Sequence, residues 1–140
     1  MRFWDASALV PLLTGEAGTA DVRSLLERDG RIVVSWITEV ECASALARRE
    51  RESVVRSERI ERGHRRLDLL RAEWSEVGTT DPVREIARRL LRTHPLRAAD
   101  SLQLSSALVI SEHRPRSLPF VCLDDRLRAA AAREGFPVLP

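Results

Sequence analysis

"RFWDASALV", residues 2–10, carries the decision about the fold. Phe3 and Trp4 form a strand-like apolar pair, Asp5 follows, and a helix-like apolar run begins at once from Ala6. A strand that turns directly into a helix is the opening half of a β–α unit. Asp5 stands where a helix N-cap is expected, because its carboxylate can accept from the orphan N–H groups of the first turn. In a parallel sheet the same position, just beyond a strand's carboxyl end, is also where ligands are met.

Working outward, strand-like runs recur at Arg2 to Trp4, Ile32 to Ser35, Phe120 to Leu123 and Pro137 to Leu139, with a weaker one near Trp74 to Val77. Helical patterns fill the intervals. Residues 6–14 and 18–28 read as two short helices broken near Gly15, residues 37–50 as a longer one, and Ser53 to Glu73 as another with Gly63 as a candidate break. "PVREIARRLLR" places Pro82 at a helix start after Asp81 as cap, with Ile86, Leu90 and Leu91 on an apolar stripe. "RAADSLQLSSALVIS" is helical, rich in small residues and fit for burial, and "DDRLRAAAARE" ends at Gly135, a good residue for leaving a helix. Strands alternating with helices predict an α/β protein, a three-layer α/β/α arrangement around a mainly parallel central sheet of four to five strands, with right-handed crossovers. No repeat, linker or composition break divides residues 1–140, so a single domain is expected.

Composition narrows the chemistry. A length of 140 residues can bury a real core without disulfides, and 44% hydrophobic with 31% charged residues suits a soluble globular chain. No apolar run approaches the ~20 residues that span a bilayer, and no basic, then apolar leader opens the chain, so a cytoplasmic location without membrane association is expected. Cys42 and Cys122 lie in apolar stretches and read as buried free thiols. The chain has no lysine, asparagine or tyrosine, and all 23 basic residues are arginine. That removes the Walker P-loop and Schiff-base enzymes, and also the phosphoaspartyl and receiver domains that pair a strand-end Asp with lysine. Net charge is +2, but residues 48–66, "RRERESVVRSERIERGHRR", carry a local +4. This segment reads either as a solvated helical face laced with ion pairs or as an arm that contacts phosphates. Trp4 and Trp36 adjoin strand-like runs and are expected in the core or at a dimer face, not as base-stacking platforms.

Acids stand where apolar residues are the rule. Asp100 is flanked by Ala98, Ala99, Leu102 and Leu104, and Glu41 lies between Val40 and Cys42. Each has a structural reading, Asp100 as a helix cap or partner of Arg97 and Glu41 as a half-exposed helix acid. Asp124 ends the strand "FVCL" as Asp5 ends the first strand. A buried carboxylate needs a partner, a hydrogen bond or a cation. Four acids gathered at one end of a parallel sheet would make an oxygen-rich pocket suited to Mg²⁺ or Mn²⁺. Zinc is disfavoured, since His64, His94 and His113 lack ligand spacing. Hard cations beside an arginine-rich surface point to phosphodiester chemistry.

"FWDASALVPLL", "SWITEVECASAL", "AADSLQLSSAL" and "FVCLDDRLRAAAAREGFPVL" together resemble the PIN-domain family, and most of all its VapC-type toxin branch, over nearly the whole chain. The resemblance implies that Asp5, Glu41, Asp100 and Asp124 form the acidic catalytic and metal-binding set, with Ser7 as the hydroxyl after the first Asp. It favours Glu41 over Glu39 and Asp124 over Asp125, and leaves Asp125 a supporting role. Arg97 is a candidate for a phosphate contact or for a salt bridge to Asp100. The implied activity is that of a Mg²⁺- or Mn²⁺-dependent endoribonuclease, the toxin of a type II toxin–antitoxin pair, working by in-line attack of activated water and leaving a 5′-phosphate. The implied partners are tRNA, rRNA or mRNA as substrate, a VapB-like antitoxin, and a second copy in a homodimer. The competing reading is a catalytically silent PIN-like scaffold that binds RNA or protein; retention of all four acids favours activity. Processing of DNA or flap structures is a third, disfavoured by the lack of an added clamp.

Overall fold

The computed structural model describes residues 1–16, 19–52 and 55–140. Strands β1 (Arg2–Trp4), β2 (Ile32–Ser35), β3 (Ser75–Val77), β4 (Phe120–Val121) and β5 (Val138–Leu139) form one sheet in the order β3-β2-β1-β4-β5. Every neighbouring pair is parallel. The helices are α1 (Ala6–Thr14), α2 (Thr19–Arg28), α3 (Thr38–Arg51), α4 (Ser57–Glu73), α5 (Asp81–Thr93), α6 (Ala98–Ile110) and α7 (Asp125–Arg133).

Successive strand residues point to opposite faces of a sheet, and that period of two sorts the core into two layers. Phe3, Val33 and Phe120 pack with α5, α6 and α7 on one face. Trp4, Ile32, Val34 and Val121 pack with α1 to α4 on the other. The expected three-layer α/β/α architecture with five parallel strands is therefore present. The chain runs outward from β1 through β2 to β3, then returns across the sheet to β4 and ends at β5. Strand order reverses between β1 and β4, so the crevice beyond their carboxyl ends is the place where such sheets bind ligands.

Several local expectations are corrected. α4 runs unbroken through Gly63, where an added Cβ would lie 3.0 Å from Leu46 Cδ2 and 3.5 Å from the Leu13 carbonyl oxygen. Glycine is there for the close approach of α4 to α3 and α1. The N-cap of α5 is Thr80, and Asp81 is already helical, paired with Arg84 at 3.1 Å. Leu91 falls off the apolar stripe and is exposed, whereas Val83, Ala87 and Leu90 are buried. Trp4 is fully buried, but Trp36 sits just past β2 and is 39% exposed, outside the core. The expected helix starts at 18 and Ser53 lie outside the described residues.

The arginine segment is in part neither of its two expected things. Arg59 Nη2 donates to the Thr14 carbonyl at 2.6 Å, and Arg66 Nη1 donates to the Leu13 carbonyl at 3.1 Å. Two guanidiniums of α4 thus satisfy the orphan carbonyls that end α1, where the helix dipole favours positive charge. Arg49 on α3 is bidentate to Glu16, with contacts of 2.5 and 3.0 Å. Cys42 and Cys122 are buried and free. Among the described residues, no helix is long and apolar enough to cross a membrane.

Candidate active site

Asp5 is placed by the β1–β4 seam. Its N–H donates to the Val121 carbonyl at 2.9 Å, and its Oδ2 accepts from the Ser7 N–H at 2.9 Å as the N-cap of α1. It does cap the helix, as its position after the strand suggests. Yet it is 5% exposed, more buried than a cap needs to be. Burial pushes its carboxyl above the usual range, bonds from Ser7 and Cys122 pull it back, and the charge of Asp100 adds to the rise.

Glu41 comes from the first turn of α3 and Asp100 from the first turn of α6. Burial, followed by the charges of Asp5 and Asp100, pushes the Glu41 carboxyl up to about 7 against the bond from Gln103. Asp5, Glu41 and Asp100 therefore act on one another electrostatically. Gln103 Nε2 donates to Glu41 Oε2 at 2.5 Å and to Thr38 Oγ1 at 3.0 Å. Asp100 Oδ2 accepts from the Arg97 N–H at 2.9 Å, so its capping role is also real, in the reach-back manner of a capping box.

Asp124 reaches the same seam by its backbone. Ser7 Oγ accepts from the N–H groups of Leu123 at 2.9 Å and Asp124 at 3.2 Å, which ties the turn after β4 to the start of α1. The Asp124 carboxylate accepts from Leu127 N–H at 2.9 Å as the N-cap of α7. Asp125 is exposed on the first turn of that helix. Glu39 turns away and pairs with Arg71 at 2.7 Å. Arg97 is exposed, and among the described residues it forms no ion pair with Asp100; the link between them is its backbone N–H. Cys122 Sγ lies 3.6 Å from Asp5 Oδ2, and burial, followed by the Asp5 charge, raises its thiol far from ionisation.

Gln103 was not singled out by sequence, and Cys122 was read there as a buried free thiol without a place in the site. A glutamine inside the apolar run "LQL", one turn past Asp100, was the available signal for the first.

The donor chemistry fits a hard divalent cation. The convergent groups are carboxylates, the neighbouring thiol is held neutral, and His94 is committed to Glu134 at 2.7 Å. One oxygen of each Asp is spent on a backbone N–H, and a carboxylate has two oxygens to give. The fit is of donor type and not of a finished shell: among the described residues no three Asp, Glu, His or Cys side chains form a ready metal-binding group.

The sequence from residues 2 to 133 matches the family model of the PIN domain. Ribonucleases VapC45 and VapC49 of Mycobacterium tuberculosis (strains CDC 1551 / Oshkosh and ATCC 25618 / H37Rv) are each 30% identical over 138 residues, covering 99% of this chain and 94% of theirs. A toxin–antitoxin complex from Klebsiella pneumoniae contains a chain of the same fold, with a TM-score of 0.67 at 17% identity, covering 100% of this chain and 97% of that one. With acids on the β1–β4 switch point of a five-stranded parallel sheet, and with a match over nearly its full length, the chain belongs to the PIN domain family.

Proposed function

We propose that this chain is an endoribonuclease of the VapC toxin type, hydrolysing RNA phosphodiester bonds with Asp5, Glu41, Asp100 and Asp124 as its catalytic and metal-holding set. The observation that carries the reading is the mutual opposition of Asp5, Glu41 and Asp100 at the strand-order reversal, a concentration of negative charge that calls for a cation. The ribonuclease relatives, aligned from end to end, support the choice of substrate.

The cation is Mg²⁺ or Mn²⁺, and when bound it supplies Lewis acidity toward water and phosphate. The protein's part is to orient and to exclude. Capping fixes the Asp5 and Asp124 side chains, so little reorganisation is needed when they bind. Gln103 holds Glu41 Oε2 in place, and a bound cation would favour the ionised form of the Glu41 carboxyl, which burial pushes up to about 7. Ser7 keeps the two strand-end turns together. Arg97, exposed beside Asp100, is free to meet a phosphate of the substrate, and the products are a 5′-phosphate and a 3′-hydroxyl. The chain works as a homodimer in the cytoplasm, restrained by a VapB-like antitoxin.

The test is cleavage of a total-RNA pool by the purified wild type and by Asp5→Asn, each with Mg²⁺, Mn²⁺ or EDTA, followed by end-group analysis. Asparagine is also a good N-cap, so the variant should keep its fold while losing ~100-fold or more of its activity. Discrete metal-dependent fragments with 5′-phosphates support the reading. Folded, antitoxin-free wild type that cuts no RNA with either metal would overturn it in favour of a silent scaffold.

A further inference from the structure

A groove leads away from the carboxylates between α1 and α3, with a cavity volume of about 510 Å³. Ser7 and Glu41 line one end, the small side chains of Ser44 and Ala45 its middle, and Arg48 and Arg49 the other end. Glu41 and Arg48 are seven residues apart on one helix, which places them on the same face about 10 Å apart along the axis. An acidic end and a basic end are thus joined by a channel whose other lining residues, Val10 and Val40 among them, carry no charge.

The two arginines are not equivalent. Arg49 is neutralised by its bidentate pair with Glu16, which holds its guanidinium firmly charged but occupied. Arg48 is exposed, and among the described residues its guanidinium makes no ion pair and no hydrogen bond. Of the other arginines in residues 48–66, Arg59 and Arg66 are spent on the carbonyls of α1. The basic segment therefore offers the groove one guanidinium that has nothing to do with holding the fold.

The geometry points to Arg48 as a substrate-positioning residue that binds a backbone phosphate of single-stranded RNA lying in the α1–α3 groove, about one or two nucleotides from the scissile bond. This inference rests on the ribonuclease reading and extends it to the strand's path. The groove is open at its edge, so a flexible strand can be laid in from solvent, and a guanidinium meets phosphate with two parallel N–H bonds. Carboxylates at the cut and a cation downstream fix the register of the strand: the acids repel an uncompensated phosphate, and Arg48 attracts one. Base identity plays no part in this contact, which sets position and not sequence preference.

The experiment compares the wild type with Arg48→Ala, Arg48→Lys and, as a control for lost charge on the opposite layer, Arg88→Ala. Binding of a short fluorescent single-stranded RNA is followed by anisotropy in EDTA across a salt series. Steady-state cleavage is then measured with Mg²⁺ on the RNA that the wild type cuts and on a dinucleotide too short to reach Arg48. Arg48→Ala is expected to weaken binding and raise KM about tenfold while leaving kcat within about twofold. Its salt slope should fall by about 0.7, as for one lost phosphate contact to a single strand. Arg48→Lys restores the slope but only part of the affinity, and the dinucleotide does not distinguish Arg48→Ala from the wild type.

Arg48→Ala that binds and cleaves as Arg88→Ala does overturns the inference, and so does a fall in kcat with KM unchanged. Weakened binding of an acidic oligoglutamate peptide with RNA binding intact would assign the groove to a protein partner and overturn it too. A wild type that binds RNA through Arg48 but cuts none defeats the ribonuclease reading and supports the strand path on its own terms.

Discussion

Glu41→Gln should make the metal-free protein more stable at pH 8 than the wild type. Glutamine keeps the side chain's size and a carbonyl oxygen that can still accept from Gln103 Nε2, but it carries no charge against Asp5 and Asp100. In the folded wild type the Glu41 carboxyl titrates at about 7 against an ordinary 4.5. The folded state therefore holds its proton longer than the unfolded state. The favourable difference is complete below pH 4.5 and is lost as pH rises through about 7. A full conversion gives about 3 kcal/mol, and because Glu41 is only half-buried, solvent screening reduces this to about 1–2 kcal/mol. The stability of Glu41→Gln relative to wild type should thus grow by about 1–2 kcal/mol between pH 4.5 and pH 8, or about 3–8 °C in melting temperature. Urea unfolding and thermal melts of both proteins in EDTA measure it, and subtraction cancels the groups that do not interact with Glu41. A difference that stays flat with pH, or that turns against the variant at pH 8, would refute the reasoning.

Adding Mg²⁺ at pH 8 should raise the melting temperature of the wild type more than that of Glu41→Gln, because the cation supplies the missing counter-charge only where the carboxylate remains; equal shifts would count against Glu41 as a ligand. Gln103→Leu leaves Glu41 and Thr38 without their shared donor, and should raise the Mg²⁺ concentration needed for half-maximal cleavage about 10- to 100-fold, read from a metal titration of activity. Arg59→Ala removes the bonds to the Thr14 and Gly15 carbonyls, so its urea midpoint should show a loss of about 1–2 kcal/mol while cleavage is unchanged. A fall in cleavage without loss of stability would place Arg59 in substrate binding instead.

How far the sequence could be read depended on whether a residue's role was local. Phe3, Trp4, Val33, Val34, Phe120 and Val121 announce strands buried on both faces, and parallel order follows from the helices between them. Asp5, Asp100 and Glu41 stood out because charge on an apolar background is costly wherever the chain puts it. Gln103 did not stand out, because its partners Thr38 and Glu41 lie 65 and 62 residues away and an amide within a helix looks unremarkable in one dimension. Gly63 was misread for the same reason: propensity counts the loss of a side chain, while the contact with Leu46 that requires its absence is made between helices. The arginine segment likewise concealed a division of labour. Which guanidiniums close α1 and which faces the groove depends on how α4 and α3 lie against α1, and charge counting has no access to that.

The acids share one further property that joins fold to chemistry. Asp5 caps α1, Asp124 caps α7, Asp100 reaches back over the start of α6, and Glu41 lies in the first turn of α3. Each carboxylate therefore occupies the amino end of a helix, where N–H groups and the helix dipole favour negative charge, typically by about 0.3–1 kcal/mol. α1, α3 and α7 start just past the carboxyl ends of β1, β2 and β4, and α6, which follows α5, brings Asp100 within electrostatic reach of Asp5 and Glu41. Capping and the proposed cation binding are thus compatible roles for Asp5. The bond from Ser7 N–H holds the buried carboxylate in a fixed direction, while burial, followed by the charge of Asp100, disfavours its ionised form, which a cation would favour under the proposed function.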